Sequence, residues 1–136
     1  MLIYGIPDRG TMIKPKKLNY GDKVAVVAPS SATDLKSVEN GELKLRSLGL
    51  NPVMFPTCYT NYGHLSASDE ERARDINDSF RDESIKGIIC LRGGYGTTRI
   101  LNMLDYEMIK RNSIYGKRNS IKIRGRQIIF CCKLTC

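Results

Sequence analysis

No apolar run in this 136-residue chain approaches the roughly 18 residues that a membrane span needs. The opening segment, Met1 to Gly10, carries Asp8 and Arg9 and no apolar stretch, so it does not read as a secretory signal. Histidine occurs once, at His64. The five cysteines lack the separated pairs or histidine partners of a structural zinc site. Their odd number, with no export signal, points to reduced thiols. A Walker loop and the dinucleotide pattern G-x-G-x-x-G are both missing. No internal repeat or low-complexity stretch is present. The expectation is a cytoplasmic chain of one domain, with no membrane partner, metal or cofactor.

The composition is globular, because 41% of residues are hydrophobic and only 26% are charged. The net charge of +8 is unevenly spread. Residues 1–112 hold 16 Lys/Arg against 14 Asp/Glu. Ser113 to Cys136 holds Lys117, Arg118, Lys122, Arg124, Arg126 and Lys133 with no acid, and three of the five cysteines crowd its end. Such a basic tail could bind nucleic acid by neutralising phosphates. Its aromatics are only Tyr115 and Phe130, too few for base stacking, so a solvated tail is the better default.

The body alternates strand and helix. Val24 to Ala28 is a short apolar run after the turn Tyr20-Gly-Asp22, suited to a strand buried on both faces of a parallel sheet. Thr33 to Leu48 reads as a helix with Leu35, Val38, Leu43, Leu45 and Leu48 at imperfect spacing, Gly41 as a weak point and Gly49 as its stop. Val53 to Phe55, between Pro52 and Pro56, is a second strand. Ser68-Asp-Glu-Glu71 is a capping-box pattern. Its helix should run to about Arg81, burying Ala73, Ile76, Asn77 and Phe80. Lys86 to Leu91 is a third strand, followed by helical pieces over Thr97–Met103 and Asp105–Lys110. This order predicts an α/β fold, a Rossmann-like or flavodoxin-like parallel sheet with flanking helices. A fourth parallel strand should follow. The chain offers Ile114 to Gln127, without helical period, and then Gln127 to Cys132, which could form a strand.

Ligands of open α/β sheets sit at the carboxyl ends of strands. Two loops qualify, Pro29-Ser-Ser31 and Arg92-Gly-Gly-Tyr-Gly96. Adjacent glycines at such a turn expose N–H groups that can hold a carboxylate, phosphate or oxyanion. Alternatively, Gly93, Gly94 and Gly96 only make a tight turn. Arg92 could pair with a substrate carboxylate or bond to backbone across the strand ends, and Tyr95 could face a ligand or cover the sheet edge. Ser30 and Ser31 are nucleophiles by type, yet no base lies nearby in sequence, and capping the next helix is the better reading. His64 reads as a solvated loop residue. Asp69, Glu70, Glu71 and Asp75 read as helix capping plus a solvated face.

Taken in order, several segments carry a more specific message. They are Ile13-Lys-Pro-Lys-Lys-Leu18, Gly21-Asp-Lys-Val-Ala-Val-Val-Ala-Pro-Ser-Ser31, Gly63-His-Leu-Ser-Ala-Ser-Asp-Glu-Glu-Arg-Ala-Arg-Asp-Ile-Asn77, Ile88-Ile-Cys-Leu-Arg-Gly-Gly-Tyr-Gly96 and Leu104-Asp-Tyr-Glu-Met-Ile-Lys-Arg-Asn112. This set resembles the N-terminal domain of the serine-type LD-carboxypeptidases, which include muramoyl-tetrapeptide carboxypeptidases and microcin-immunity-type peptidases. The resemblance implies cytoplasmic peptidases of cell-wall recycling that cleave a terminal D-alanine from muropeptides. It implies a metal-free, cofactor-free Ser–His–Glu triad and frequent homodimers. It also implies that the loop from Arg92 to Tyr95 lies beside the nucleophile, a glycine amide helping to form the oxyanion hole.

The family nucleophile stands in a Gly-Tyr/Phe-Ser-Asp turn after the next strand, and the Glu and His come from a second domain. No such tetrapeptide occurs in this sequence. No residue of the chain is therefore assigned as the catalytic serine, glutamate or histidine, and inactivity of this polypeptide is expected. The domain reading is a non-native start or leader over 1–12, an LD-carboxypeptidase-like α/β domain over 13–112, and a basic, Cys-rich tail over 113–136, translated out of frame.

Overall fold

The computed structural model describes residues 18–114, 121–124 and 127–130. The expected leader, the segment 13–17 and the C-terminal cysteine cluster lie outside the described residues. Three of the expected strands form: β1 (Lys23–Val27), β2 (Asn51–Met54) and β3 (Ile85–Cys90). They make one parallel sheet in the order β2-β1-β3. Helices α1 (Leu35–Ser47), α2 (Asp69–Arg81) and α3 (Tyr106–Ile114) pack around it, with 3-10 turns at Pro56–Cys58 and Thr97–Met103. Helix α3 carries through Ser113 and Ile114. Strands β4 (Ile121–Arg124) and β5 (Gln127–Phe130) pair antiparallel in a separate sheet. The strand expected from Gln127 therefore exists, but as half of a hairpin.

Alternation along β1 sorts the core into two layers, because successive side chains point to opposite faces. Val24, Val26 and Ile89 meet Val38 and Leu45 of α1 on one face. Ala25, Val27, Ile88 and Cys90 meet Ala73, Ile76 and Phe80 of α2, with Ile100, Met108 and Ile109, on the other. Full burial of a side chain such as Ile76 or Phe80 contributes about 1.5–3 kcal/mol. Helix α1 seats only Val38 and Leu45 fully, while Leu35, Leu43 and Leu48 are exposed. Gly41 has a packing reason: a Cβ there would stand 2.9 Å from Leu91 Cδ1. The helix can thus lie close over the end of β3. Gly49 ends it as expected, at φ 80°, with its N–H on Arg46 O (2.9 Å) and that of Leu50 on Leu45 O (3.1 Å). This pair of bonds is a Schellman motif.

At the start of α2 the capping box is complete. The Glu71 N–H donates to Ser68 Oγ at 3.3 Å, and the Ser68 N–H donates to Glu71 Oε2 at 3.0 Å. These Ser68 donors hold the Glu71 carboxyl below its ordinary pKa. Such a cap stabilises a helix by about 1 kcal/mol.

Asp75 departs from its expected solvated place and is only 4% exposed. In the second turn of α2, it points inward and accepts from the Thr57 N–H at 2.9 Å, while Thr57 Oγ1 accepts from the Ala28 N–H at 3.1 Å. This short relay ties the 3-10 turn to the end of β1. The neighbouring Cys58 thiol donates to Val26 O at 3.2 Å. Burial, reinforced by the Asp75 charge, pushes the Cys58 pKa up to about 12, so it stays a protonated structural thiol.

Burial also raises the Asp75 pKa, against the lowering effect of the Thr57 bonds. The folded state therefore holds the carboxyl proton more tightly than the unfolded state. Ionisation of Asp75 costs stability above the folded pKa, and the cost disappears as pH falls to the ordinary value. Urea unfolding should show wild type gaining on Asp75→Asn between pH 7 and pH 4. Asp75→Ala should lose about 1–3 kcal/mol at either pH, because it strands the buried Thr57 N–H.

Candidate functional site

The strand order creates a crevice. From β1 the chain crosses to β2 on one side, and β3 lies on the other, so the carboxyl ends of β1 and β3 border a topological switch point. The loop after β1 and the loop from Arg92 to Gly96 meet there. Arg92 Nη1 donates to Ala32 O at 3.3 Å, across a separation of 60 residues. Arg92 thus bonds to backbone across the strand ends.

Two of the three glycines need their freedom. Gly94 stands at φ 138° and Gly96 at φ 119°, while Gly93 is not in the left-handed region. A Cβ on Gly94 would lie 2.4 Å from Ser31 Oγ. On Gly96 it would lie 2.7 Å from Leu65 Cδ2 and 3.1 Å from Arg72 Nη1. On Gly93 it would meet open space. Gly93, Gly94 and Tyr95 are exposed, and the Tyr95 side chain does not close over the sheet. Among the described residues, the N–H groups of these three donate to no protein acceptor.

Ser30 and Ser31 reach the same crevice in different states. Ser30 is fully buried, its carbonyl accepting from the Ser66 N–H at 2.9 Å, and its Oγ has no partner among the described residues. The expectation that it caps the next helix is corrected: Asp34 is the N-cap and accepts from the Ser37 N–H at 2.9 Å. The cap falls to Asp34 because the segment from Ser30 to Ala32 is occupied with the antiparallel bridge Ser31–Leu65. The Ser37 hydroxyl and N–H together hold the Asp34 pKa below its ordinary value. Ser31 is half-buried beneath Gly94. His64 is exposed, its carbonyl accepting from the Ala32 N–H at 3.3 Å. Among the described residues no hydrogen bond joins its imidazole to either serine.

Known proteins are similar to this chain in sequence and fold. The family profile of the LD-carboxypeptidase N-terminal domain matches residues 24–116. The chain belongs to this family. A probable murein peptide carboxypeptidase of Bacillus subtilis is 38% identical over 99 residues, covering 73% of this chain and 31% of that protein. A muramoyltetrapeptide carboxypeptidase from Oxalobacter formigenes superposes with a TM-score of 0.59 at 29% identity, over 66% of this chain and 30% of that one. The microcin C7 self immunity protein, in complex with aspartyl sulfamoyl adenosine, superposes with a TM-score of 0.68 at 22% identity, over 73% and 30%. The last likeness is one of fold alone. The LD-carboxypeptidase domain described here spans about a third of the length of these relatives.

The residue that sequence reading missed in this LD-carboxypeptidase domain is Arg72. It is completely buried. Its Nε donates to Ala67 O at 3.1 Å, and its Nη1 donates to both Pro29 O at 2.8 Å and Gly96 O at 2.9 Å. Its Nη2 donates to Asp69, which also accepts from Arg99 Nη2 at 3.0 Å. Burial lowers the Arg72 pKa from its ordinary value, and Asp69 opposes that shift. A signal existed. Arg72 lies one helical turn before Ile76 and two before Phe80, placing a charge on the stripe read as apolar.

The two exposed glycines should respond differently to the same change. Gly94→Ala forces a side chain into the left-handed region and onto Ser31, and should lose about 1–3 kcal/mol in urea unfolding. Gly93→Ala should stay within about 0.5 kcal/mol of wild type.

Proposed function

We propose that this LD-carboxypeptidase domain supplies the substrate-loop half of a serine peptidase site for murein peptides, working in the cytoplasm in cell-wall recycling. The carrying observation is the run of three consecutive exposed residues at the switch point, Gly93 to Tyr95, whose N–H groups have no protein acceptor among the described residues. In the full site, one or more of them would donate to the carbonyl oxygen of the L,D-peptide bond as it becomes an oxyanion. Removing one such donor from a serine peptidase typically costs about 10²–10³ in turnover. Loop N–H groups also suit the terminal carboxylate of the peptide, and a bond to a charged group is worth about 1.5–3 kcal/mol.

The family's nucleophile motif is not among these 136 residues. The polypeptide therefore binds without hydrolysing. The relatives' names, murein peptide carboxypeptidase and muramoyltetrapeptide carboxypeptidase, support the substrate class.

Titrating the ¹⁵N-labelled chain with a murein tetrapeptide tests both parts. The amides of Gly93, Gly94 and Tyr95 should move saturably, with no D-alanine released. Shifts confined to other residues, or none at millimolar peptide, would remove the binding half. Release of D-alanine that a serine-directed inhibitor blocks would remove the inactive half.

A further inference from the structure

Two ties hold the exposed amides in place, one at each end of the loop. At the start, Arg92 Nη1 reaches Ala32 O at 3.3 Å, but its side chain is exposed, and such a bond competes with water. At the end, Arg72 is completely buried and uses a single nitrogen, Nη1, for both Pro29 O and Gly96 O. Pro29 belongs to the loop after β1, and Gly96 follows directly on the exposed amides. One buried nitrogen thus fixes the spacing of the two switch-point loops.

The rest of the guanidinium is anchored from behind. Nε is on Ala67 O, and Nη2 is on Asp69, which Arg99 of the second 3-10 turn also holds. The planar fork meets four acceptors in different directions. A lysine ammonium has three N–H groups on one nitrogen and cannot span them. The fit around Gly96 is close enough that a Cβ would crowd Nη1.

We infer that Arg72 is a positioning residue for the candidate site, setting the amides of Gly93 to Tyr95 against the loop after β1. The inference rests on the functional reading above for its consequence, while the positioning itself is measurable without ligand. Arg72 touches no substrate; it acts through Gly96 and Pro29. A purely structural arginine would lower the melting temperature on substitution and leave the loop of the folded protein unchanged.

The test is Arg72→Lys, compared with wild type below both melting temperatures. In folded R72K, the amide resonances of Gly93, Gly94 and Tyr95 should shift, while those of β1, such as Val26, keep their positions. Affinity for a murein tetrapeptide should fall about tenfold or more, as expected from misplacing even one amide bonded to a charged group. Folded R72K with unchanged loop amides overturns the inference. If wild type binds no murein peptide, the functional reading fails alone, and the ligand-free comparison still decides the positioning role. If R72K does not fold, Asp69→Asn decides instead. It loosens the guanidinium from Nη2 and should move the same three amides, and their failure to move overturns the inference.

Discussion

A guanidinium sealed from water between α2 and two strand-end loops is the constraint on which the geometry of this domain turns. Removing such a charge from solvent costs several kcal/mol, and only close, complete pairing offsets it. Arg72 meets that requirement with three backbone carbonyls and the Asp69 carboxylate. The three carbonyls belong to three different segments: the loop after β1, the entry to α2 and the close of the glycine loop. They cannot move apart without leaving a buried charge or a buried carbonyl unsatisfied, and so they are held as one unit.

The position of that guanidinium is inherited from simpler local decisions. The Ser68–Glu71 box sets the first turn of α2. Ile76 and Phe80 then fix the rotation of the helix by seating in the core beneath the sheet. With start and rotation set, the fourth helical residue faces the strand ends. Asp75, on the adjoining strip of the helix, ties the other side of α2 to the 3-10 turn through Thr57. A single helix therefore carries both a core stripe and a line of buried polar anchors.

What is left unpaired follows from this order. The glycine loop is pinned at Arg92 and Gly96, and the amides between, on exposed residues, have no acceptor among the described residues. The proposed function gives that exposure a chemical meaning, because the oxygen of an amide bond gains charge during nucleophilic attack. The domain covers about a third of the length of these relatives, and the half-site is what we propose for that portion. Neither Ser30, with its hydroxyl buried, nor Ser31, packed beneath Gly94, is joined to a base among the described residues.

The sequence alone determined the features that depend on neighbours along the chain. The β-branched run of β1, the capping box before α2, the stop at Gly49 and the turn at Arg92 to Gly96 are written in a few adjacent residues, because period, capping and φ are local properties. The ordered set of those segments was enough to point to the family. The tertiary structure decided everything that depends on which surface meets which. Leu35, Leu43 and Leu48 are apolar by type, yet α1 needs only Val38 and Leu45 to cover its face of a three-stranded sheet. Ser30 stands near a helix start but is drawn into a bridge with the loop before α2, leaving the cap to Asp34. Arg72 and Asp75 are charged by type and buried by position, since their partners arrive from segments well removed along the chain. No local pattern encodes such a meeting. It exists only once the sheet has brought the ends of β1 and β3 side by side.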